Sequence, residues 1–206
     1  MKNIAIFASG GGSNFRVIYS NIQKGIIQGE IVLVVSNNAK CGAIFFANEE
    51  KIENIIVNDT RFPNPKTRDK FLLHTLLNSK VELICLAGYM KLLPKMIIRE
   101  YKNHILNIHP ALLPQFGGKG FYGIKVHEAV LASGAEVSGV TVHLVDEEYD
   151  QGEIIAQEKI KVRLRDTSGS LSERILKIEH DLYSRVIKAF CNDGVIWNNN
   201  HPIIEA

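Results

Sequence analysis

The feature that most constrains the fold is the alternation of strand-like and helix-like segments along the first two-thirds of the chain. Short, continuous apolar runs are separated by stretches whose apolar residues recur at helical spacing. Strands that are apolar on both faces need helices on both faces, which is typical of a mostly parallel sheet in an α/β protein. The predicted strands cover residues 4–8, 31–35, 55–57 and 81–87, and the predicted helices cover residues 14–24, 43–51 and 67–77.

The pattern changes after a fifth apolar run that ends at His109. Residues 110–122 contain two prolines and three glycines and predict a loop. Residues 139–145 and 154–162 alternate between apolar and polar side chains, so we expect an antiparallel pair of half-buried strands at the carboxyl-terminal edge of the sheet. The other predicted elements are a short helix at residues 126–132, a long final helix at residues 171–190 ended by Gly194, and a surface turn at residues 198–201.

Composition indicates one globular domain of 206 residues, with halves at residues 1–109 and 110–206. The chain is 46% hydrophobic and 22% charged, which suits a domain with a sizeable core. The net charge is only +2 and no block of like charge stands out, so nucleic acid is not the indicated partner. No apolar run is long enough to span a membrane. Because Met1 lies close to the first strand, we expect no signal peptide and a cytoplasmic location.

The three cysteines are widely spaced and odd in number. Cys41, Cys85 and Cys191 therefore predict neither a disulfide scaffold nor a zinc knuckle, which fits a reducing compartment. Cys85 lies in an apolar strand and is interpreted as a small core residue.

Asn107-Ile108-His109-Pro110 is the segment that most clearly indicates chemistry. Strand side chains alternate, so Asn107 and His109 are expected on one face at the carboxyl end of the fifth strand, which Pro110 ends. An amide and an imidazole side by side can donate to a developing oxyanion and transfer a proton. The alternative is a hydrogen-bonded pair that only ends a strand.

Ser9-Gly10-Gly11-Gly12-Ser13-Asn14 connects the first strand to the first helix. Successive glycines let backbone N–H groups approach an anion, and the helix N-terminus adds its positive dipole. The spacing matches neither a dinucleotide-binding fingerprint nor a P-loop, so a single phosphate group is the predicted ligand. The alternative is a glycine-rich turn required only for tight packing.

Three other polar or flexible segments have both structural and functional interpretations. Residues 86–94 leave the fourth strand through Gly88 and form either a slot for a flat heterocycle or plain core. Residues 146–152 form a hydrophilic hairpin loop, an acidic metal site with His143, or the source of a carboxylate that orients His109. In the final helix, residues 179–180 form a buried polar pair or part of a ligand site.

These segments, in this order and spacing, closely resemble the phosphoribosylglycinamide formyltransferases, folate-dependent enzymes of purine synthesis. The resemblance rests on residues 9–14, 86–90, 107–114, 139–152 and 179–180, and it extends over nearly the whole chain. It implies a Rossmann-like formyltransferase fold, with a mostly parallel central sheet and helices on both faces. It also implies transfer of a formyl group from 10-formyltetrahydrofolate to the amine of glycinamide ribonucleotide, by a monomer or homodimer without a metal ion.

The resemblance also implies a role for individual residues. Asn107, His109 and Asp150 would form the catalytic set, with Asp150 holding His109 charged and oriented. The substrate would be bound by Gly11, Gly12, Ser13, Asn14 and Glu179, the last at the ribose. The folate would be surrounded by two groups of residues: Leu86, Tyr89, Met90, Lys91, Leu92 and Leu93 from the first half, and Val145, Asp146, Glu147 and Glu148 from the second.

Three positions depart from the pattern of many relatives. Gln151 replaces a second glycine in the folate loop, Leu176 replaces a polar residue near the phosphate, and Lys91 replaces an arginine. Residues 116–120 are assigned no role.

Three rival functions remain open at this stage. A methionyl-tRNA formyltransferase would need an added carboxyl-terminal domain and a basic surface. A formyltetrahydrofolate deformylase would use water as the acceptor and would not need the glycine-rich loop. A non-catalytic nucleotide-binding protein would need that loop but not Asn107, His109 and Asp150 together.

Overall fold

The computed structural model describes residues 1–199 and 201–204. The chain divides into two compact units, Met1–Leu106 and Asn107–Ala206. Among the described residues, no helix has the length and apolar character needed to cross a membrane.

The first unit alternates strands and helices as the sequence pattern predicts. Its elements are β1 (Lys2–Phe7), α1 (Ser13–Gln23), β2 (Gly29–Ser36), α2 (Gly42–Glu49), β3 (Asn54–Ile56), α3 (Pro65–Asn78), β4 (Leu83–Leu86) and α4 (Lys95–Glu100). The strands are parallel, in the order β3-β2-β1-β4. Residues 83–86 are all buried, as expected for a strand covered on both faces. The carboxyl ends of parallel strands meet at one edge, so the loops after β1 and β4 are neighbours.

The second unit follows the strand β5 (Ile105–His109), which contains the boundary between the two units. Its other elements are α5 (Ile124–Ala132), β6 (Val137–Leu144), β7 (Ile154–Lys161), α6 (Ser168–Cys191), β8 (Val195–Asn198) and β9 (His201–Ile204). The strand order is β5-β6-β7, and β6 and β7 are antiparallel as predicted. A capping box between Thr167 and Ser170 begins α6, which packs against α5, β6 and β7.

Two features of the structure differ from the sequence prediction. The six-residue helix α4 was not predicted because it is too short to show helical periodicity. The strands β8 and β9 were not predicted either; Asn198 and His201 pair with each other as their ends, so the surface turn predicted at residues 198–201 connects an antiparallel hairpin. Asn199 lies in the turn, and residue 200 lies outside the described residues.

Candidate active site

The strand β5 presents Asn107 and His109 at its carboxyl end. Its three apolar residues are buried, and His109 is only 4% exposed. Asn107 Nδ2 donates to Asp150 Oδ1 at 3.3 Å, and His109 Nδ1 lies 3.6 Å from Asp150 Oδ2. The structure therefore brings together the three residues that were predicted as a catalytic set.

Asp150 lies in the loop between β6 and β7 and has a left-handed backbone, with φ of 56°. Its side chain is 10% exposed. Burial raises the pKa of this carboxyl group, but the nearby imidazoles of His143 and His109 and the hydrogen bond from the Gly118 N–H together hold the pKa below its ordinary value. The Gly118 N–H donates to Oδ2 at 2.9 Å. Asp150 is therefore a carboxylate at neutral pH.

The imidazole of His109 makes its shortest contact with the backbone. Its Nε2 lies 2.7 Å from the carbonyl oxygen of Phe116, which can only accept, so the proton of the neutral ring belongs on Nε2. Burial lowers the pKa of His109, although the charge of Asp150 and the bond to Phe116 oppose this shift. His109 is consequently neutral at pH 7 in the ligand-free protein.

His143 joins this cluster, although sequence reasoning assigned it no role in catalysis. It lies on β6 and is 2% exposed. Its Nε2 lies 3.0 Å from Asn107 Nδ2 and 3.6 Å from Asp150 Oδ1. The alternation of side chains along β6 does not show on which face of the sheet His143 lies. Its position just before the acidic loop is the only feature of the sequence that indicates a place in the site.

The chemical groups of the cluster are an amide, two imidazoles and a carboxylate. Within residues 1–199 and 201–204, no group of three or more His, Cys, Asp or Glu side chains is arranged to hold a metal ion. The three cysteines are buried as free thiols.

The glycine-rich loop connects β1 to α1 in the first unit, as predicted. Gly12 precedes the helix with a left-handed φ of 76°, and the first helical bond runs from the Arg16 N–H to the Gly12 carbonyl at 2.9 Å. The first turn of α1 contains no acidic residue. The positive end of the helix dipole therefore faces the loop without a nearby carboxylate from its own first turn.

Packing accounts for some of these glycines and not for others. A Cβ on Gly12 would lie 3.0 Å from the Cα of Ala43, so close approach of α2 requires a glycine there. Gly11 is exposed, and a Cβ there would have no heavy atom within 4 Å. Ser13 is half-buried and Asn14 is buried. The packing interpretation is thus sufficient for Gly12 but leaves Gly11 unexplained.

The loop after β4 contacts the glycine-rich loop directly. Ser9 N–H donates to the Gly88 carbonyl at 3.0 Å, and Met90 N–H donates to Ser9 Oγ at 2.9 Å. The predicted folate-contact residues of this segment differ in burial: Leu86 and Leu93 are buried, Tyr89 is half-buried, and Met90, Lys91 and Leu92 are exposed. Tyr89 packs edge-on against Phe7, with ring centroids 5.3 Å apart, and burial raises the pKa of its phenol to about 12.

The remaining predicted site residues belong to the second unit. Val145 and Asp146 are half-buried after β6, and Glu147 and Glu148 are exposed. Asp146 Oδ1 accepts the Glu148 N–H at 2.9 Å, which tightens this turn. Glu179 is half-buried in α6.

Comparison with known proteins finds relatives along the chain. Residues 2–187 match the family model described as Formyl transferase. The chloroplastic phosphoribosylglycinamide formyltransferase of Vigna unguiculata is 44% identical over 211 residues, covering 100% of this chain and 66% of the relative. The phosphoribosylglycinamide formyltransferase of Bacillus subtilis (strain 168) is 36% identical, covering 91% of this chain and 94% of the relative. The chain spans about two thirds of the length of the plant relatives it matches.

Solved structures give the same result. The crystal structure of glycinamide ribonucleotide transformylase 1 from Symbiobacterium toebii aligns with a TM-score of 0.91 at 32% identity, covering 100% of this chain and 95% of that one. The predicted fold class is confirmed: an α/β fold with a mostly parallel sheet, an antiparallel carboxyl-terminal edge and helices on both faces. The predicted resemblance is confirmed as well.

Proposed function

The chain belongs to the formyl transferase family, and on that premise we propose that it transfers a formyl group from 10-formyltetrahydrofolate to the primary amine of glycinamide ribonucleotide in de novo purine synthesis. The observation that carries this proposal is the cluster in which Asn107 and His109 face the buried carboxylate of Asp150. The plant and Bacillus relatives are named phosphoribosylglycinamide formyltransferase and the Symbiobacterium relative glycinamide ribonucleotide transformylase, which supports the formyl group and the acceptor of this proposal.

The residue types support direct attack without a covalent enzyme intermediate. The substrate amine attacks the formyl carbon, a C–N bond forms, and the carbonyl oxygen becomes an oxyanion. Asn107 Nδ2 would donate to this oxygen, and so would His109 Nε2 once its N–H has turned away from the Phe116 carbonyl. Each such donor is worth about 3 kcal/mol in comparable sites. The bond from the formyl carbon to the folate nitrogen then breaks, and the proton lost by the amine passes to that nitrogen, with a water molecule as relay.

His109 would gain its positive charge during the reaction by taking a proton from solvent on Nδ1 as the oxyanion forms, and it would return that proton to solvent when the oxyanion collapses. Burial keeps the free imidazole neutral, but the negative charge of an oxyanion beside it would raise the pKa of His109. Asp150 lies 3.6 Å from the other ring nitrogen and would stabilise the resulting cation. We therefore assign Asp150 the role of orienting and charging His109, as the resemblance implies.

The substrate phosphate would bind at the glycine-rich loop. The exposed Gly11 backbone has no packing neighbour that requires a glycine, and the N-terminus of α1 supplies the positive dipole. Gly12, Ser13 and Asn14 would complete this loop, and Glu179 would contact the ribose.

The folate would bind against apolar side chains that are exposed after β4. Met90 and Leu92 are 48% and 47% exposed and lie two residues apart in one loop, so they offer an apolar surface to a ligand. We propose that they contact the pterin with Tyr89 and Lys91, and that Leu86 and Leu93 support them from the core. The resemblance also implies folate contacts for residues 145–148.

Formyl transfer is tested by following tetrahydrofolate release from 10-formyltetrahydrofolate with and without glycinamide ribonucleotide. Release that depends on the amine is the expected result. Release without the amine would indicate deformylase chemistry, and no release in either mixture would contradict the proposal. Ribonucleotide lacking its phosphate serves as the control, because the glycine-rich loop predicts a large increase in KM for that analogue.

The compartment and the oligomeric state are further parts of this proposal. We propose a cytoplasmic protein that acts as a monomer or homodimer, although the plant relatives are named as chloroplastic. Cell fractionation and light scattering of the purified protein test these two statements.

A further inference from the structure

His143 is a buried histidine for which the proposed reaction has no use. It is 2% exposed, and both of its ring nitrogens are engaged within the second unit. Nδ1 lies 2.7 Å from the carbonyl oxygen of Leu144, and Nε2 lies 3.0 Å from Asn107 Nδ2. Its partner on the Nε2 side is therefore one of the two proposed oxyanion donors.

For a neutral His143 ring, the two ends of this chain of contacts determine the direction of every hydrogen bond in it. The Leu144 carbonyl can only accept, so the neutral ring carries its proton on Nδ1 and leaves Nε2 as an acceptor. At the other end the Gly118 N–H can only donate, and it donates to the carboxylate of Asp150 at 2.9 Å. The Asn107 amide lies between an imidazole acceptor and a carboxylate acceptor, so its NH2 group must face both.

We propose that His143 is a positioning residue that holds the Asn107 amide with its NH2 group, and not its carbonyl oxygen, toward the reacting formyl group; this inference rests on the proposed function. A half-turn of the Asn107 side chain would exchange its oxygen and nitrogen. The oxygen would then oppose the developing oxyanion, and it would also face two acceptors in His143 and Asp150.

The two hydrogens of the Asn107 amide are not held equally. The bond to His143 is 3.0 Å long, whereas the bond to Asp150 is 3.3 Å long. The hydrogen on the longer bond is the one that can turn to the formyl oxygen, while the shorter bond keeps the amide in place. His143 thus contributes to the transition state through Asn107 without touching the substrate.

Two substitutions at His143 separate this role from simple packing. In His143→Asn the amide nitrogen can still donate to the Leu144 carbonyl, because it occupies the place of Nδ1, but nothing replaces the Nε2 acceptor. In His143→Gln the amide oxygen lies where Nε2 was and can accept from Asn107. We expect kcat to fall roughly 10- to 100-fold in His143→Asn, less than the loss of a whole oxyanion-hole donor, with KM for both substrates nearly unchanged.

His143→Gln should recover most of the lost kcat. The matched control is Ser138→Ala on the same strand, because Ser138 is also 2% exposed and its hydroxyl has no hydrogen-bond partner among the described residues. This control should keep the wild-type kcat. A wild-type kcat in a folded His143→Asn variant, with an active wild-type enzyme, would overturn this inference and leave the proposed function intact.

A second measurement does not depend on turnover. An N–H···N hydrogen bond transmits a scalar coupling between its two nitrogens, so 15N-labelled wild-type protein should show a coupling between Asn107 Nδ2 and His143 Nε2. The ring of His143 should also show its proton on Nδ1. A proton on Nε2, or no coupling, would contradict the inference. If the wild-type protein transferred no formyl group at all, the proposed function would fail together with the catalytic part of this inference.

Discussion

Asp150 is the charged group whose removal tests the proposed chemistry most directly. Its carboxylate accepts the Gly118 N–H at 2.9 Å and the Asn107 amide at 3.3 Å, and it lies 3.6 Å from His109 Nδ1. Asp150→Asn preserves the size of the side chain and removes its charge. Since Asp150 is the charge that opposes the effect of burial on His109, the imidazolium needed in the transition state should form less readily in this variant.

The magnitude follows from the geometry of the pair. The side chains of His109 and Asp150 are 5% and 10% exposed, so solvent screens their interaction only weakly. Unit charges about 4 Å apart attract by about 4 kcal/mol at an effective dielectric constant near 20. The amide dipole of the variant retains part of this attraction, and a net loss of about 3 kcal/mol corresponds to a roughly 100-fold lower kcat.

Tetrahydrofolate release measures kcat and KM for the Asp150→Asn variant, and an NMR titration measures the pKa of His109. We expect kcat to fall with little change in KM for the ribonucleotide, and we expect the pKa of His109 to drop further below its ordinary value. Asp181→Asn is the control, because Asp181 pairs with Arg185 on the exposed surface of α6. A wild-type kcat in Asp150→Asn, or a raised pKa of His109, would refute the reasoning.

Stability measurements should detect the same buried groups. The pKa of Asp150 is below its ordinary value of 3.8 in the folded state, so the unfolded chain binds more protons below about pH 4 and the free energy of unfolding should rise with pH there. In urea titrations Asp150→Asn should flatten this rise, and an unchanged slope would contradict the prediction. Burial lowers the pKa of His127 to about 4, so between about pH 6.5 and pH 4 this residue binds a proton in the unfolded chain but not in the folded protein. Its contribution should therefore lower the free energy of unfolding by about 3 kcal/mol as the pH falls through that range. His127→Gln should abolish that loss, and an equally steep decline in the variant would contradict it. Gly117→Ala would place a Cβ 2.4 Å from Leu113 Cδ2 and 3.3 Å from Asp150 Cβ, so we expect about 1–3 kcal/mol of destabilisation and a lower kcat. The same substitution should cost less in a Leu113→Ala background, and an equal cost would argue against this contact.

The parts of the fold that the sequence predicts are those encoded by local periodicity. Continuous apolar runs predict β1, β2 and β4, because a strand covered on both faces has no polar side to show. The pairing of Asn107 and His109 on one face is also predicted, because residues two apart in any strand share a face. Each of these predictions needs only one segment of the chain.

The contacts that complete the site could not be predicted in the same way. His109 contacts the carbonyl of Phe116, and Asp150 contacts the N–H of Gly118, so both partners are backbone groups that leave no residue-type signal. Both Phe116 and Asp150 have a left-handed φ of 56°, which periodicity does not report. The sequence shows that residue 143 is a histidine, but the face of the sheet on which its side chain lies depends on the register irregularity between Val142 and His143.

The electrostatics of the cluster suggest why burial of His109 favours the proposed chemistry. With His109 neutral and Asp150 ionised, the buried groups carry one negative charge, which the Gly118 N–H and the Asn107 amide stabilise. An oxyanion would add a second negative charge in the same low-dielectric surroundings, and that state is costly unless a proton arrives. Protonation of His109 and formation of the oxyanion would therefore favour each other. A histidine already charged in the free protein would gain less from the new oxyanion, because Asp150 would have neutralised it beforehand. The lowered pKa of His109 thus reserves its protonation for the transition state, where stabilisation raises kcat and does not merely tighten substrate binding.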